Sequence, residues 1–210
     1  MASKTLSENI NQAISDFGSI KQAIIDKGVE VPSGTPTSQY GTKIGEIQSG
    51  GGIDEDFKGV IERTATNPTL PSGLTKIGDY VFYNYTNLAL TSLPNGVTSI
   101  GNYVFYSCTN LALTSLPDSL TSIDNYAFYG CSNLALTSLP NGVTSIGGNA
   151  FRNCTGLTEI TFKGKPNSIY TSAFSGCTNL TTIRVPWAEG EVSGAPFGAT
   201  NATIVYNYTE

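Results

Sequence analysis

Histidine is absent from the 210-residue chain, and with it go the commonest general base and the commonest metal ligand. No histidine-dependent triad or zinc site can be drawn. Four cysteines remain, but Cys108, Cys131, Cys154 and Cys177 lie at a constant interval of 23 residues, whereas zinc sites use ligands paired a few residues apart. Tyr85 stands at the position one interval before Cys108, so the column reads as a buried thiol ladder. Equivalent positions on stacked repeats point their Cβ vectors side by side, which suits a disulfide poorly. The acidic cluster Asp54, Glu55 and Asp56 lacks the spacing of a calcium loop and reads as a solvated boundary. Ser49-Gly50-Gly51-Gly52 lacks the Lys-Ser/Thr that completes a phosphate loop. The sequence therefore predicts no catalytic residue, no metal site and no cofactor.

Tyrosine is the one residue type left whose pattern suits recognition. Tyr80, Tyr103 and Tyr126 form one column and Tyr83, Tyr106 and Tyr129 a second, and both stop where Asn149 and Arg152 take over. Each pair flanks a Val or Ala followed by Phe, so at least one column is expected to face outward. Tyrosine offers rigid apolar area with one hydroxyl, which suits protein or cell-surface carbohydrate as a partner. The alternative is that these rings simply cover the flank of each coil.

Repetition must position these residues, and its period is 23. Segments starting at Leu70, Leu93, Leu116, Leu139 and Phe162 align without a gap, and a shortened sixth starts at Val185. Ile77, Ile100, Ile123, Ile146 and Ile169 make one column; Phe82, Phe105, Phe128, Phe151 and Phe174 a second; Leu88, Leu111, Leu134, Leu157 and Leu180 a third. A single turn cannot cover so many apolar side chains, so stacked neighbours must bury them for one another. Val97 to Ile100 and Leu111 to Leu116 read as short strands, with Pro94, Pro117 and Pro140 marking turns.

Composition agrees: 39% of residues are hydrophobic, only 13% are charged, and 23 are glycine, which fits a turn-rich stack of strands. A net charge of -5 without a basic run argues against nucleic acid and against anionic membrane surfaces. No stretch approaches the roughly 20 apolar residues of a membrane span, so no membrane insertion is expected. The first ten residues lack the basic-then-apolar pattern of a signal peptide.

The N-terminal segment is of another kind. Leu6, Ile10, Ala13, Phe17, Ile20 and Ile24 follow a heptad seam, with Thr5 and Glu8 as a capping box and Gly28 as a stop. The seam predicts either a helix packed on a second helix near Ser38 to Ile47 or a coiled coil that makes a homo-oligomer. The organisation expected is a small α-helical module over 1–48, a glycine-rich linker over 49–56, and a repeat region over 57–210 with a cap from about 185. Trp187 is expected to close the core of that cap, with a ligand-stacking platform as the alternative.

Thr98-Ser99-Ile100-Gly101, followed by Tyr103-Val104-Phe105-Tyr106-Ser107-Cys108-Thr109-Asn110-Leu111, resembles the BspA-type leucine-rich repeat. That resemblance implies a right-handed, mostly β solenoid used in bacterial adhesion and recognition and not in catalysis. The first repeats carry Leu-Ala-Leu-Thr-Ser-Leu where later ones read Leu157-Thr158-Glu159-Ile160-Thr161-Phe162, and a shift of strand register is expected between the two. Gly34-Thr35-Pro36, Tyr40-Gly41-Thr42-Lys43-Ile44 and Val185-Pro186-Trp187-Ala188-Glu189-Gly190 resemble parts of prophage tail or baseplate proteins. This second resemblance implies a tail-associated recognition protein, made in the bacterial cytoplasm and located in the virion; the alternative is a bacterial cell-surface adhesin.

Overall fold

The computed structural model describes residues 66–68, 70 and 73–209. The expected helical module over 1–48, its seam from Leu6 to Ile24 and the linker over 49–56 lie outside the described residues.

Among the described residues, nine short strands make two parallel sheets. The first sheet runs β1 (Lys76–Ile77), β2 (Ser99–Ile100), β3 (Ser122–Ile123), β5 (Ser145–Ile146) and β7 (Ser168–Ile169). The second runs β4 (Ser138–Leu139), β6 (Glu159–Phe162), β8 (Thr182–Arg184) and β9 (Thr203–Val205). Ser99 pairs with Ser122 and Ile100 with Ile123, and the same one-repeat offset holds from β1 to β7. A parallel β-solenoid results, with one coil per repeat.

The register follows from burial. Each isoleucine of the Ser-Ile pair is buried and each preceding residue is half-buried or exposed, so a one-residue slip would turn every isoleucine outward. Thr98, Thr121 and Thr144 each donate a side-chain hydrogen bond to the carbonyl of the matching threonine one coil earlier, at 2.9, 2.9 and 3.1 Å. The coils are thus tied on the outer face as well as through the core.

The phenylalanine column is the spine of that core. Its five rings stack with centroids 5.3, 5.3, 5.2 and 5.0 Å apart in successive pairs. The cysteine column runs beside it: the thiols of Cys108, Cys131, Cys154 and Cys177 donate to the carbonyls of Phe82, Phe105, Phe128 and Phe151 at 2.9 to 3.0 Å. All four cysteines are buried and unbridged. Cysteine suits the position because it is small, apolar and carries one weak donor for a carbonyl already serving a turn.

Two expectations need correction. Leu111 to Leu116 is not a strand; in the second sheet the first strand is Ser138–Leu139. Leu111, Leu113 and Leu116 all point inward with Thr114 and Ser115 outside, and this spacing breaks the alternation a strand requires. Nor does the register shift, since Ser138 pairs with Thr161 and Leu139 with Phe162 at the constant offset. What changes is the inward residue, from the third position of the segment (Leu136) to the fourth (Ile160).

The sixth coil closes the stack. Trp187 is 3% exposed and meets Phe162 edge-on at 5.3 Å, and Phe197, also buried, lies 6.3 Å from the same Phe162 ring. The coil adds β9 to the second sheet but leaves the first to end at β7.

Candidate functional site

Each coil carries a run of tight turns after its Ser-Ile strand. Tyr83, Tyr106 and Tyr129 each donate a backbone hydrogen bond to the carbonyl of the tyrosine three residues earlier. Alternate amides reach across to the next coil: Tyr80 to Asn102, Tyr103 to Asn125 and Tyr126 to Gly148. Local turns and inter-coil bonds together fix the direction of every side chain on this face.

Both tyrosine columns come together on it. Tyr80, Tyr103 and Tyr126 stack with centroids 5.0 and 4.7 Å apart and planes within 6°. Tyr83, Tyr106 and Tyr129 stack at 5.0 and 4.6 Å. Across the columns Tyr103 and Tyr106 lie 5.7 Å apart, and Tyr126 and Tyr129 5.9 Å, so the six rings form one patch. Tyr80 is exposed and the other five are half-buried. Asn153 donates to the Tyr129 hydroxyl at 3.3 Å where the aromatic column ends.

Backbone conformation separates the two columns. Tyr80, Tyr103 and Tyr126 have φ of 62°, 56° and 57°, the left-handed region in which asparagine and glycine are favoured. Asn149 takes the same conformation at the same place in the next coil, with φ of 56°. Glycine and asparagine also prevail in the adjacent left-handed column, which reads Asn84, Ser107, Gly130, Asn153 and Gly176.

Partial burial, reinforced by neighbouring tyrosines, holds Tyr103 and Tyr106 above the ordinary tyrosine value. On the strand side of the patch Asp79 accepts the Asn102 amide at 2.7 Å, and Asn125 donates to the Asn102 side chain at 3.2 Å. Asp124, raised by burial and by Asp79, adds a second carboxyl nearby.

No cluster that could hold a metal ion occurs among the described residues. A cleft of about 500 Å³ lies between Lys165 to Ile169 and Gly190 to Ser193. Its one carboxylate, Glu191, accepts the Ala188 amide and pairs with Lys165 at 3.3 Å, contacts that lower its pKa. It holds no set of converging acids. No helix of the described residues is long and apolar enough to cross a membrane.

The thiols are placed for structure. Desolvation raises Cys131 and Cys154 well above the ordinary thiol value and pushes Cys177 up to about 12, so the reactive thiolate is suppressed. In native buffer at neutral pH, Ellman's reagent is expected to find none of the four thiols within minutes and all four once urea unfolds the chain. Fast native labelling of even one would contradict their burial.

Residues 58–192 match the model of the BspA type leucine rich repeat region, in six copies. Among solved structures, the chain is similar to a leucine rich repeat protein of T. pallidum at 28% identity, covering 69% of this chain and 72% of that one, with a TM-score of 0.52. It is similar to a leucine-rich repeat protein from Bacteroides ovatus at 30% identity over 58% of this chain, with a TM-score of 0.48. The chain spans 32% of that protein's length. A leucine rich cell surface protein from Faecalibacterium prausnitzii is 24% identical over 55% of this chain and 53% of its own, with a TM-score of 0.36. No curated protein matches.

Proposed function

The chain belongs to the BspA-type leucine-rich repeat family, and from that premise we propose that it is a non-enzymatic recognition protein whose contact face is the double column Tyr80, Tyr103, Tyr126 and Tyr83, Tyr106, Tyr129. The observation that carries this reading is the left-handed backbone under the first column. A left-handed non-glycine residue costs about 1–2 kcal/mol, and asparagine reduces that cost by local hydrogen bonding. Asn149 occupies this place in the fourth coil, so the solenoid does not require an aromatic ring there. The three left-handed residues all lie in the first column, whose rings make two contacts within the column and four with the second, each worth about 0.5–1.5 kcal/mol. Asn149 shows that the fold accepts a polar residue at this place, and the three rings that replace it are assigned to contact.

The fourth coil also supplies a fold-preserving test. Replacing Tyr80, Tyr103 and Tyr126 by Asn, and Tyr83, Tyr106 and Tyr129 by Arg, copies Asn149 and Arg152 into earlier coils. Binding of this variant and of the unaltered chain to a panel of bacterial and animal cells is compared by flow cytometry. Loss of at least tenfold in cell binding, with an unchanged circular dichroism spectrum, is expected; undiminished binding would end the proposal.

Where the protein is displayed is a further part of the reading. The likeness of Gly34-Thr35-Pro36, Tyr40 to Ile44 and Val185 to Gly190 to prophage tail proteins supports a virion tail, with the heptad seam from Leu6 to Ile24 as an attachment or oligomerisation element. The last of these segments also serves as the solenoid's cap, with Val185 and Trp187 buried. A bacterial cell-surface adhesin is the alternative. Antibody against the solenoid should detect the chain in purified phage particles in the first case and in the cell-envelope fraction in the second.

A further inference from the structure

We infer that the six-tyrosine patch is a site of oxidative cross-linking, at which a one-electron oxidant joins Tyr106 to Tyr129 through a carbon–carbon bond and staples one coil to the next. The inference concerns the chemistry of the rings and does not depend on what the face contacts.

Geometry brings the reacting carbons together. Tyr106 and Tyr129 are the closest and most nearly parallel of the described tyrosine pairs, with centroids 4.6 Å apart and planes 4° from parallel. Their phenols are hydrogen-bonded to one another, so the rings lie head to head. The carbon beside one hydroxyl therefore faces its counterpart beside the other. Tyr103 on Tyr126, Tyr80 on Tyr103 and Tyr83 on Tyr106 repeat the stack at 4.7 to 5.0 Å.

That arrangement suits radical coupling. A phenol that loses one electron to the oxidant, and its proton to water, becomes a phenoxyl radical with unpaired density on oxygen and on the two adjacent ring carbons, Cε1 and Cε2. The orbitals holding that density stand perpendicular to the ring and point at the next ring of the stack. Two such radicals join Cε to Cε; each joined carbon then releases its hydrogen as a proton, and each oxygen regains one. In sum the pair gives up two electrons, taken by two equivalents of a one-electron oxidant such as the oxidised haem of a peroxidase, and two protons. Holding both partners side by side in one chain favours this bond over coupling between dilute chains.

Exposure selects the patch over other oxidisable groups. Tyr80 is exposed and the other five rings are half-buried, so an oxidant reaches them, whereas Trp187 and the four cysteines are buried. Ring contacts from Tyr80 through Tyr103 to Tyr106, at 5.0 and 5.7 Å, let an electron vacancy formed at the exposed ring reach the pair. Tyr170, Tyr206 and Tyr208 also meet solvent, but none of them stacks on another tyrosine among the described residues. The new bond closes a loop across one 23-residue repeat, and a cross-link of that kind restricts the unfolded chain.

The test exposes the full chain, at micromolar concentration, to photogenerated tris(bipyridine)ruthenium(III) with persulfate as the terminal electron acceptor. A monomer lighter by two hydrogen atoms and carrying dityrosine fluorescence is expected. Asp-N protease cuts before Asp118 and Asp124, so the bridge should hold the peptide of Tyr106 to the peptide of Tyr129, and fragmentation should place it on those two residues. The linked chain should unfold at a higher urea concentration than the untreated one. Tyr103→Phe with Tyr106→Phe keeps every ring yet removes a phenol from all four stacked pairs; it should lower the dityrosine yield at least tenfold with an unchanged circular dichroism spectrum. Oxidised monomer without dityrosine, dityrosine confined to covalent dimers, a bridge at Tyr170, Tyr206 or Tyr208, or an undiminished yield in the Phe variant would each overturn the inference.

Discussion

Raised above pH 9, the folded chain is expected to lose stability steeply and to unfold before pH 12, a response set by thiols that never meet solvent. Cys177 is pushed from an ordinary value of 9.0 to about 12 by burial, and Cys131 and Cys154 are raised well above it. A group whose folded pKa lies above its unfolded value stabilises the fold fully below the unfolded pKa. That contribution is lost as pH climbs towards the folded pKa. One pKa unit corresponds to about 1.36 kcal/mol, so Cys177 alone withdraws roughly 4 kcal/mol between pH 9 and pH 12. Total stability of a domain is about 5–15 kcal/mol, and Cys131 and Cys154 act in the same direction. Urea midpoints measured from pH 7 to pH 11 should be level to about pH 8.5 and fall thereafter, with a shallower fall in a Cys177→Val variant. A level profile through pH 11 would contradict a desolvated thiol ladder.

Phe128→Ala is expected to cost about 3–5 kcal/mol, the range for truncating a fully buried aromatic residue. Phe128 is 0% exposed and lies 5.3 Å from Phe105 and 5.2 Å from Phe151, so its removal leaves a gap with a ring on either side. In a solenoid each coil is held only by its neighbours, and a gap in the third coil uncouples the coils before it from those after it. Chemical denaturation should therefore show a lower midpoint and a smaller slope as the two halves cease to unfold together. Phe128→Leu, which fills most of the space, should recover more than half of the loss. A cost under 1 kcal/mol for the alanine variant would show that the phenylalanine stack is not the spine of the core.

The architecture was legible in the sequence because the same side chains recur in every coil. The Ile77 and Phe82 columns give the period, the inward face and the one-repeat offset of the sheets, and Trp187 stands where an open core must be closed. The path of Leu111 to Leu116 was not legible. Whether Leu113 points inward with Leu111 and Leu116 depends on how tightly the preceding coil turns, which residue types do not encode. The tyrosine face was legible as two columns but not as a stacked patch. The sign of φ at Tyr103 is set by amide bonds to the neighbouring coil, from Tyr103 to Asn125 and from Tyr80 to Asn102. Asn149 was the one trace of it in the sequence, an asparagine at a place where the three earlier coils carry a ring. The thiol ladder was readable as buried, but its bonds to the phenylalanine carbonyls need the stacked geometry.

The proposed recognition face is tested most directly by tyrosine footprinting with tetranitromethane, on the chain alone and on the chain bound to cells that retain it. Tyr170, 60% exposed and outside both columns, serves as the internal control. Protection of Tyr103, Tyr106, Tyr126 and Tyr129 on binding, with Tyr170 still nitrated, is the predicted result. Protection of Tyr170 and the C-terminal coil, with the two columns nitrated as in the free chain, would place the contact elsewhere and contradict the account.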